Sequence, residues 1–191
     1  MDIQLLNINK QFNNKVMLKD LNVTFKEGKI NCLMGASGIG KTTVINILLG
    51  LITPDSGEVI GINGKHMAAV FQEDRLIEHW NALQNIKLTS ENTVTDEQVI
   101  QELQALGLKE HLDKPVRSFS GGMRRRVAIV RAILAGSDLL VLDEPFQGLD
   151  DTLKKQVIEY IKHNSEGKTV IVVTHEANDV NLLEANLITL S

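Results

Sequence analysis

The chain has 191 residues, of which 43% are hydrophobic and 23% are charged, and its formal net charge at pH 7 is −4. These values are ordinary for a globular protein with one substantial domain, and the negative charge gives no general attraction for nucleic acid. The single cysteine, Cys32, excludes an internal disulfide and a thiolate metal cluster. No apolar run reaches the roughly 18 residues of a membrane span, and no basic and apolar leader follows Met1. We therefore expect a soluble intracellular protein.

Short apolar runs of strand length alternate with helical patterns along the chain. The strand-like runs lie at residues 2–9, 21–25, 30–34, 58–62, 67–71, 139–142 and 169–173. Helical spacing of apolar residues is found at 43–49, 95–106, 120–134 and 152–162. Alternation of apolar strands with helices predicts a parallel sheet that is covered on both faces.

Residues 35–42 read Gly-Ala-Ser-Gly-Ile-Gly-Lys-Thr, which matches the pattern G-x-x-x-x-G-K-[ST]. A strand-like run precedes this segment and a helical pattern follows it, which is the context of a phosphate-binding loop. Glycines allow consecutive N–H groups to face a phosphate, and the helix N-terminus adds its dipole. Lys41 is expected to reach the β- and γ-phosphates, and the Thr42 hydroxyl to bind Mg²⁺. The alternative, a glycine-rich turn that binds nothing, leaves the flanking strand and helix unexplained.

Between about residues 75 and 118 the character of the chain changes, because polar helical stretches dominate and no run is typical of a strand. Thr95 and Gln98 form a capping box, and a shorter helical piece is expected at 108–113. We predict a helical subdomain packed on a nucleotide-binding core. The predicted bounds are 75–118 for the helical subdomain, and 1–74 and 119–191 for the core.

The apolar run at 139–142 delivers Asp143 and Glu144 to the end of a predicted strand. In open parallel sheets, ligands bind at the carboxyl ends of the strands. A nucleotide-hydrolysing enzyme needs a carboxylate there to hold Mg²⁺, and Glu144 is placed to orient the attacking water or to accept its proton. The alternative is a strand that merely ends in acidic residues. Other residues that follow predicted strands are Gly35, Gln72 and His175.

Ser120, Gly121 and Gly122 stand at the beginning of a predicted helix. A serine hydroxyl and two backbone amides without side chains form a second anion site at such a position. The alternative is an ordinary serine N-cap that follows a flexible turn.

The order of these motifs resembles that of the ATP-binding cassette (ABC) ATPases. The phosphate loop is followed by a single Gln after a strand, Ser-Gly-Gly, Leu-Asp-Glu-Pro, Gly-Leu-Asp and Thr-His, and the likeness runs from about Phe12 to His175. It implies a single ABC ATPase domain over residues 1–191. The fold class is then α/β, with a P-loop NTPase core, a mostly parallel sheet, an N-terminal antiparallel β subdomain and a helical insertion.

In that family, the Ser-Gly-Gly turn of one subunit closes over the γ-phosphate bound by the other, so the resemblance implies a head-to-tail homodimer on ATP binding. It assigns ATP binding to Phe12, Gly35, Ala36, Ser37, Gly38, Ile39, Gly40, Lys41, Thr42, Thr43, Ser120, Gly121 and Gly122. It assigns Mg²⁺ to Thr42, Gln72 and Asp143. It assigns catalysis to Glu144 as general base, with Lys41, Gln72 and His175. Asp150 is assigned to the dimer contact.

Several of these residues also have simpler interpretations. Gln72 could be a surface polar residue, His175 a satisfied histidine at a strand end, and Phe12 a core aromatic rather than the ring on which adenine stacks. The arginine run at 124–126 is more typical of a solvated or subdomain-contact face than of a nucleic-acid patch.

Two positions depart from the family pattern. Phe119 and Met123 stand where the family usually has Leu and Gln. We expect the phosphate contacts of the serine and the glycines to survive, whereas the contacts of the usual glutamine are open. Sixteen residues follow His175, so no C-terminal regulatory domain is expected.

The leading hypothesis is the ATP-binding and ATP-hydrolysing subunit of an ABC membrane transporter, whose membrane-spanning permease subunits are separate chains. Such a subunit lies at the cytoplasmic face of the inner or plasma membrane. The segment 70–76 with Trp80, together with 120–124, looks closest to the nitrate/sulfonate/taurine-type importer ATPases. The alternative is a soluble ABC ATPase that acts on nucleic acid or the ribosome, but no nucleic-acid partner is expected for one cassette of negative charge. A cassette that binds ATP without hydrolysing it is disfavoured because Lys41, Asp143, Glu144 and His175 are all present.

Overall fold

The computed structural model describes residues 1–110 and 112–191. In chain order the strands are β1 (Ile3–Phe12), β2 (Lys15–Phe25), β3 (Ile30–Met34), β4 (Ser56–Ile60), β5 (Met67–Val70), β6 (Leu139–Asp143), β7 (Thr169–Val173) and β8 (Asn186–Thr189). The helices are α1 (Lys41–Leu48), α2 (Ala82–Lys87), α3 (Asp96–Ala105), α4 (Gly121–Ile133), α5 (Asp151–Asn164) and α6 (Ala177–Leu182). A short 3₁₀ helix (Val116–Ser118) precedes α4.

A five-stranded parallel sheet in the order β5-β6-β7-β3-β8 forms the centre of the molecule. All residues of β6 and β7 are buried, as expected for strands that are covered on both faces. Successive residues of these strands point to opposite faces. Leu140 and Val170 therefore lie on the face of the sheet that α4 and α5 cover, whereas Val141 and Ile171 lie on the face that α1 covers.

A second sheet of three antiparallel strands, in the order β2-β1-β4, is formed by the N-terminal part of the chain. Its inward residues Ile3, Leu5 and Phe25 are fully buried and share one apolar cluster with Val44 and Ile45 of α1. The predicted α/β fold class, with a parallel core sheet and an N-terminal antiparallel sheet, is confirmed.

The helices between β5 and β6 join the other apolar cluster. Ile86 of α2, Val99 and Leu103 of α3 and Val127 of α4 are all fully buried within it. Thr95 caps α3 through the predicted capping box, with the Gln98 amide donating to the Thr95 hydroxyl at 3.2 Å. These helices thus pack on the α4 side of the sheet.

Two local predictions are corrected by the structure, and two further elements were not predicted. The predicted helical piece at 108–113 is not helical in residues 108–110 and 112–113, and His111 lies outside the described residues. Strand β2 begins at Lys15 rather than at residue 21, because pairing with β1 continues to the tight turn after Phe12. Both α6 and β8 were absent from the sequence prediction, since neither has a regular apolar pattern.

Within the described part of the chain, no helix combines the length and the apolar character needed to cross a membrane.

Candidate nucleotide-binding site

A cavity of about 260 Å³ opens at the carboxyl ends of the parallel strands. It is lined by Met17, Ser37, Gly38, Gly40, Lys41, Thr42, Thr43, Gln72, Asp143, Glu144 and Val173. The chain segments that form it follow β3, β5 and β6, so one edge of the sheet brings together residues more than 100 positions apart. The structure thereby gathers the phosphate-loop residues, the single glutamine and the acidic pair at one place.

The loop between β3 and α1 is held in shape by its own lysine. The Lys41 ammonium donates to the carbonyl oxygen of Gly35 at 2.8 Å and to that of Ala36 at 3.0 Å. The Ile39 amide also donates to the Ala36 carbonyl, at 3.3 Å. Helix α1 begins after Gly40 without any side-chain cap, and the first amides of a helix have no acceptor within the helix. Those amides and the Lys41 ammonium can bind phosphate oxygens.

Two glycines of the loop have left-handed backbone conformations, with φ of 78° at Gly38 and 109° at Gly40. A Cβ at Gly40 would lie 2.7 Å from a methyl group of Leu18 and 3.3 Å from the Met17 carbonyl oxygen, whereas a Cβ at Gly38 would meet nothing within 4 Å. Gly40 is therefore required both by its φ angle and by the close approach of β2. This contact also explains why Met17 lines the cavity, although the sequence analysis did not select it.

Asp143 is the last residue of β6, and its side chain is only 5% exposed. Burial, followed by repulsion from Glu144, raises the pKa of the Asp143 carboxyl above its usual value. Arg125, Lys41 and a hydrogen bond from Thr42 act in the opposite direction. Binding of a cation beside Asp143 would stabilise the ionised form of its carboxyl group.

The residues around Asp143 fit Mg²⁺. The Asp143 carboxylate and the Thr42 hydroxyl are both hard oxygen ligands, and both residues line the same cavity. In residues 1–110 and 112–191, no group of three or more His, Cys, Asp or Glu side chains is arranged to hold a metal. Mg²⁺ does not need such a group, because it is usually bound by one or two protein oxygens together with phosphate oxygens and water.

Glu144 follows Asp143 in a left-handed conformation with φ of 49°. Non-glycine residues rarely adopt this conformation, and strain of this kind is concentrated at functional sites. The Glu144 amide donates to the Val173 carbonyl oxygen at 3.0 Å, which fixes the turn, and the side chain remains 22% exposed. The carboxylate therefore faces the cavity from a rigid backbone position.

His175 lies on the far side of Glu144, after β7. Its Nδ1 is 3.7 Å from the Glu144 carboxylate, and its side chain is 62% exposed. It lines a neighbouring cavity of about 210 Å³, to which Glu144 also contributes. The structure thus places His175 beside the general-base candidate but outside the lining of the first cavity.

A buried polar cluster that the sequence analysis missed holds the turn at His175. The Thr174 hydroxyl donates to the Asp179 carboxylate at 2.6 Å, and the Lys154 ammonium lies 2.5 Å from the other oxygen of Asp179. Lys154 also donates to Glu176 at 2.6 Å. No short-range sequence pattern joins Lys154 on α5 to Asp179 on α6, so only the tertiary structure shows that these groups are paired.

The Ser-Gly-Gly turn lies apart from the first cavity. Ser120, Gly121 and Gly122 line a separate cavity of about 540 Å³ together with the loop before α5. Ser120 is the N-cap of α4, and its hydroxyl accepts from the Met123 amide at 3.2 Å. The N-cap interpretation is therefore correct, and the exposed position of the turn leaves its anion-binding interpretation open.

The two departures from the family pattern have a packing role. Phe119 is only 4% exposed and lies in the apolar cluster beneath α4, and Met123 packs partly buried against the same cluster. Both side chains hold the beginning of α4 against the helical layer.

Phe12 and Asp150 are also placed away from the first cavity. Phe12 ends β1, is 40% exposed, and has the Lys10 ammonium 5.4 Å from its ring centre. Asp150 is the N-cap of α5 and accepts from the amides of Thr152 and Leu153 at 3.0 and 2.9 Å.

Comparison with known proteins identifies the family. The family model described as "ABC transporter" matches residues 18–147. The spermidine/putrescine import ATP-binding protein of Fusobacterium nucleatum is 32% identical over 93% of this chain and 52% of that protein. The sulfate/thiosulfate import ATP-binding protein of Neisseria meningitidis serogroup A is 34% identical over 94% of this chain and 56% of that protein. The ergothioneine transport ATP-binding protein of Helicobacter pylori is 32% identical over 95% of this chain and 93% of that protein.

The chain thus spans about half the length of several of the relatives that it matches. Among solved structures, a dimeric bacterial ABC transporter cassette is similar with a TM-score of 0.85 and 29% identity, over 98% of this chain and 94% of that one. A post-hydrolysis dimeric structure of the same cassette, bound to ADP and Pi, has a TM-score of 0.85 and 28% identity, over 99% and 94%. With a family model that covers more than half of its residues and relatives above 30% identity, this chain belongs to the ABC transporter family.

Proposed function

We propose that this chain binds and hydrolyses ATP with Mg²⁺, as the ATP-binding subunit of a membrane transporter. The observation that carries the proposal is the convergence of Lys41, Thr42, Asp143 and Glu144 on one cavity at the carboxyl edge of the parallel sheet. A buried Asp143 and a partly exposed Glu144 beside a lysine-held phosphate loop are suited to a ligand that brings both a polyphosphate and a divalent cation.

The residues of the cavity have separate roles in this proposal. The α1 amides and Lys41 bind the β- and γ-phosphates, with Lys41 exchanging its two loop carbonyls for phosphate oxygens. Thr42, Gln72 and Asp143 would hold Mg²⁺, which neutralises charge that develops on the phosphates when it is bound. Glu144 orients the attacking water and accepts its proton, and His175 contacts the γ-phosphate from beside it.

A second chain completes each site in the proposal. Ser120 and the two following glycines line a different cavity from Lys41, so within one chain the turn does not face the phosphate loop. A head-to-tail dimer would bring the turn of each copy to the γ-phosphate of the other. That one similar cassette was solved as a dimer in two structures supports this arrangement. Asp150 and Phe12 are proposed to contact the partner and the adenine ring, respectively.

The partners and the place of action follow from the same family likeness. We place the chain at the cytoplasmic face of the membrane, bound to separate permease subunits, with residues 75–118 acting as the helical subdomain that transmits closure. Several of the relatives are import proteins, which supports an importer. The nitrate/sulfonate/taurine subtype stays a prediction, because the relatives described above act on polyamines, sulfate and ergothioneine. Transport measured with taurine, sulfate and spermidine, after co-expression with candidate permeases, would decide it.

The central test compares Glu144→Gln with the wild type. We expect turnover of Mg²⁺-ATP to fall by about 100-fold or more, since general-base catalysis contributes about 10²–10⁴-fold. ATP binding should persist, and the ATP-bound variant should accumulate as a dimer in size-exclusion chromatography with light scattering. The matched control is Glu166→Gln, which removes an exposed carboxylate remote from the site. Full turnover of the Glu144→Gln protein, or a wild type that does not bind Mg²⁺-ATP, would contradict the proposal.

A further inference from the structure

The segment that carries Gln72 is bound to helix α4 through its backbone. The segment follows β5, where pairing with the sheet ends at Val70. The Arg125 guanidinium donates to the Phe71 carbonyl oxygen and to the Gln72 carbonyl oxygen, each at 2.5 Å. Arg131 donates to the Asp74 and Arg75 carbonyl oxygens at 3.0 and 2.8 Å. Two arginines of one helix therefore bind four of the five carbonyl groups at residues 71–75.

Arg125 is held in a fixed position by burial and charge. Its side chain is only 7% exposed, and its Nη1 lies 3.3 Å from the carboxylate of Asp74. Burial raises the pKa of Asp74, whereas the charge of Arg125 favours the ionised form. A buried guanidinium needs partners for its donors and its charge, and here two carbonyl groups accept hydrogen bonds while the Asp74 carboxylate supplies the opposite charge. Arg125 is thus not part of a solvated face, which corrects one of the two interpretations of the arginine run.

The same helix begins with the Ser-Gly-Gly turn. Ser120 is the N-cap of α4, and Arg125 lies between one and two turns further along. Arg126 contacts the first turn of the same helix, since its Nε donates to the Gly122 carbonyl oxygen at 3.0 Å. The Ser-Gly-Gly turn and the Gln72 segment are therefore attached to one rigid element. Gln72 lines the first cavity, whereas Asp74 of the same segment lines the cavity of the turn.

We propose that Arg125 is a positioning residue that fixes the Gln72 segment to α4, so that Gln72 in one cavity moves together with Ser120 in the other. The inference rests on the proposed function for its kinetic consequences. When a partner's nucleotide draws the Ser-Gly-Gly turn inward, the shift of α4 carries Gln72 with it toward the chain's own phosphates. Arg125 lines the cavity of the Ser-Gly-Gly turn, and its positioning role is carried by the backbone carbonyl groups that it binds.

Arginine is suited to this task because its planar guanidinium presents several donors at fixed spacing. A lysine at position 125 would keep the charge but could not bind two consecutive carbonyl groups and the Asp74 carboxylate in the same geometry. Arg125→Gln removes the charge and keeps one short amide donor. The two variants therefore separate charge from the fixed pair of hydrogen bonds.

The attachment itself is tested without ATP hydrolysis. Trypsin cleaves after Arg75, which is exposed and ends the bound segment. We expect cleavage of the bond between Arg75 and Leu76 in native protein to be about 10-fold faster in Arg125→Gln, because proteolysis requires local release of the chain. Arg125→Lys should be intermediate, and the exposed Arg117→Gln serves as control with an unchanged rate at that bond. Mass spectrometry of the early fragments gives the rates.

The kinetic consequence is tested by a double-mutant cycle with Gln72→Ala. We expect Arg125→Gln to lower kcat for ATP by about 10-fold through misplacement of Gln72, while KM for ATP changes by less than about twofold. In the Gln72→Ala background, Arg125→Gln should have no further effect on kcat, because the side chain that it positions is gone. A merely structural role would lower activity in both backgrounds equally.

The outcomes separate the two proposals. Equal cleavage rates in wild type and in both Arg125 variants overturn the attachment, and additive effects on kcat overturn the action through Gln72. A wild type that lacks Mg²⁺-ATPase activity would overturn the proposed function, while the trypsin experiment would still decide whether Arg125 fixes the segment. If Arg125→Gln fails to fold, Arg125→Lys provides both measurements.

Discussion

Asp143 ends a buried parallel strand and Lys41 begins the helix that follows another, whereas Ser120 lies at the exposed beginning of a helix in the layer that covers the sheet. In the first region the polar groups are bound or buried within the chain. The Lys41 ammonium donates to two loop carbonyl oxygens, and Asp143 is 5% exposed. The second region presents a hydroxyl and two glycines to an open cavity. In the proposed function, one chain therefore supplies most of one phosphate site and the Ser-Gly-Gly turn of another.

The difference suggests which properties each region needs. The phosphate loop needs an exact backbone shape, which the sheet and Gly40 enforce within the chain. The Ser-Gly-Gly turn needs access, because its ligand would arrive with a second copy. Changes in the first region should thus affect stability and binding together, whereas changes in the second should affect only activity of the dimer.

The strongest test of this comparison is complementation between two inactive proteins. Lys41→Ala removes the phosphate ligand of the first region, and Ser120→Asp places a negative charge in the second while keeping a good N-cap for α4. Each variant alone should lose about 100-fold or more in ATPase activity. In a mixed dimer, one site combines the intact Lys41 of one chain with the intact Ser120 of the other. An equimolar mixture should therefore recover about one quarter of the wild-type rate per chain, if the two-fold dimers form at random.

The control for the charge is Ser118→Asp, which adds a carboxylate two positions earlier and should retain activity. Release of inorganic phosphate, followed as the ratio of the two proteins is varied, should peak at equal amounts. A mixture that is no more active than its components would place both regions in sites formed by one chain.

A matched pair of glycine substitutions separates the backbone shape that the phosphate loop needs from the access that the Ser-Gly-Gly turn needs. Gly40→Ala puts a Cβ 2.7 Å from Leu18 at φ of 109°, so we expect the free energy of unfolding to fall by about 2–4 kcal/mol and ATP binding to weaken. At Gly121 a Cβ meets nothing within 4 Å and φ is not positive. Gly121→Ala should therefore change the free energy of unfolding by less than about 1 kcal/mol, while lowering ATPase activity.

Urea denaturation and ATP titration of both variants provide the measurements. Equal losses of stability in the two variants, or a Gly121→Ala protein with wild-type activity, would remove the distinction between the regions.

The first region was largely predictable from the sequence, and the reason is local. Strands β3, β6 and β7 are short and mostly apolar, so their positions follow from the pattern, and the phosphate loop lies between β3 and the helical pattern of α1. The capping box at Thr95 was equally local. Patterns of this kind depend on neighbouring residues alone.

The second region and its connections depend on distant residues. Three consecutive arginines are typical of a solvated helix face, yet Arg125 is buried because a loop that lies 53 and 54 positions earlier offers it carbonyl groups. The pairing of Lys154 with Asp179 and the approach of Met17 to Gly40 have the same origin. Strand β8 was missed because it pairs at the sheet edge with largely exposed side chains. Contacts between residues that are distant in the sequence produce no periodic pattern of residue types, so they could not be predicted.

The smallest predicted effect concerns how the ionisation of Asp143, in the first region, changes the stability of the nucleotide-free protein. Burial and Glu144 raise the pKa of Asp143 above its usual value. Between the unfolded and the folded pKa of this carboxyl, the folded state binds more protons than the unfolded state, so stability falls as pH rises through that window. At neutral pH the ionised Asp143 therefore lowers the stability of the nucleotide-free protein.

Replacement of Asp143 by Asn removes this ionisation at nearly the same size. We expect Asp143→Asn to raise the melting temperature of the nucleotide-free protein at pH 7, where about 1 kcal/mol corresponds to about 2–4 °C in a domain of this length. The gain should shrink as pH is lowered through the raised pKa of Asp143, because the wild-type carboxyl then becomes protonated. The exposed Asp113→Asn, as control, should show no such trend. An Asp143→Asn protein that is less stable than wild type at pH 7 would contradict this prediction. It would mean that the attraction of Lys41 and Arg125 for the Asp143 carboxylate outweighs the cost of burying its charge, so that the ionised carboxylate stabilises the first region without nucleotide.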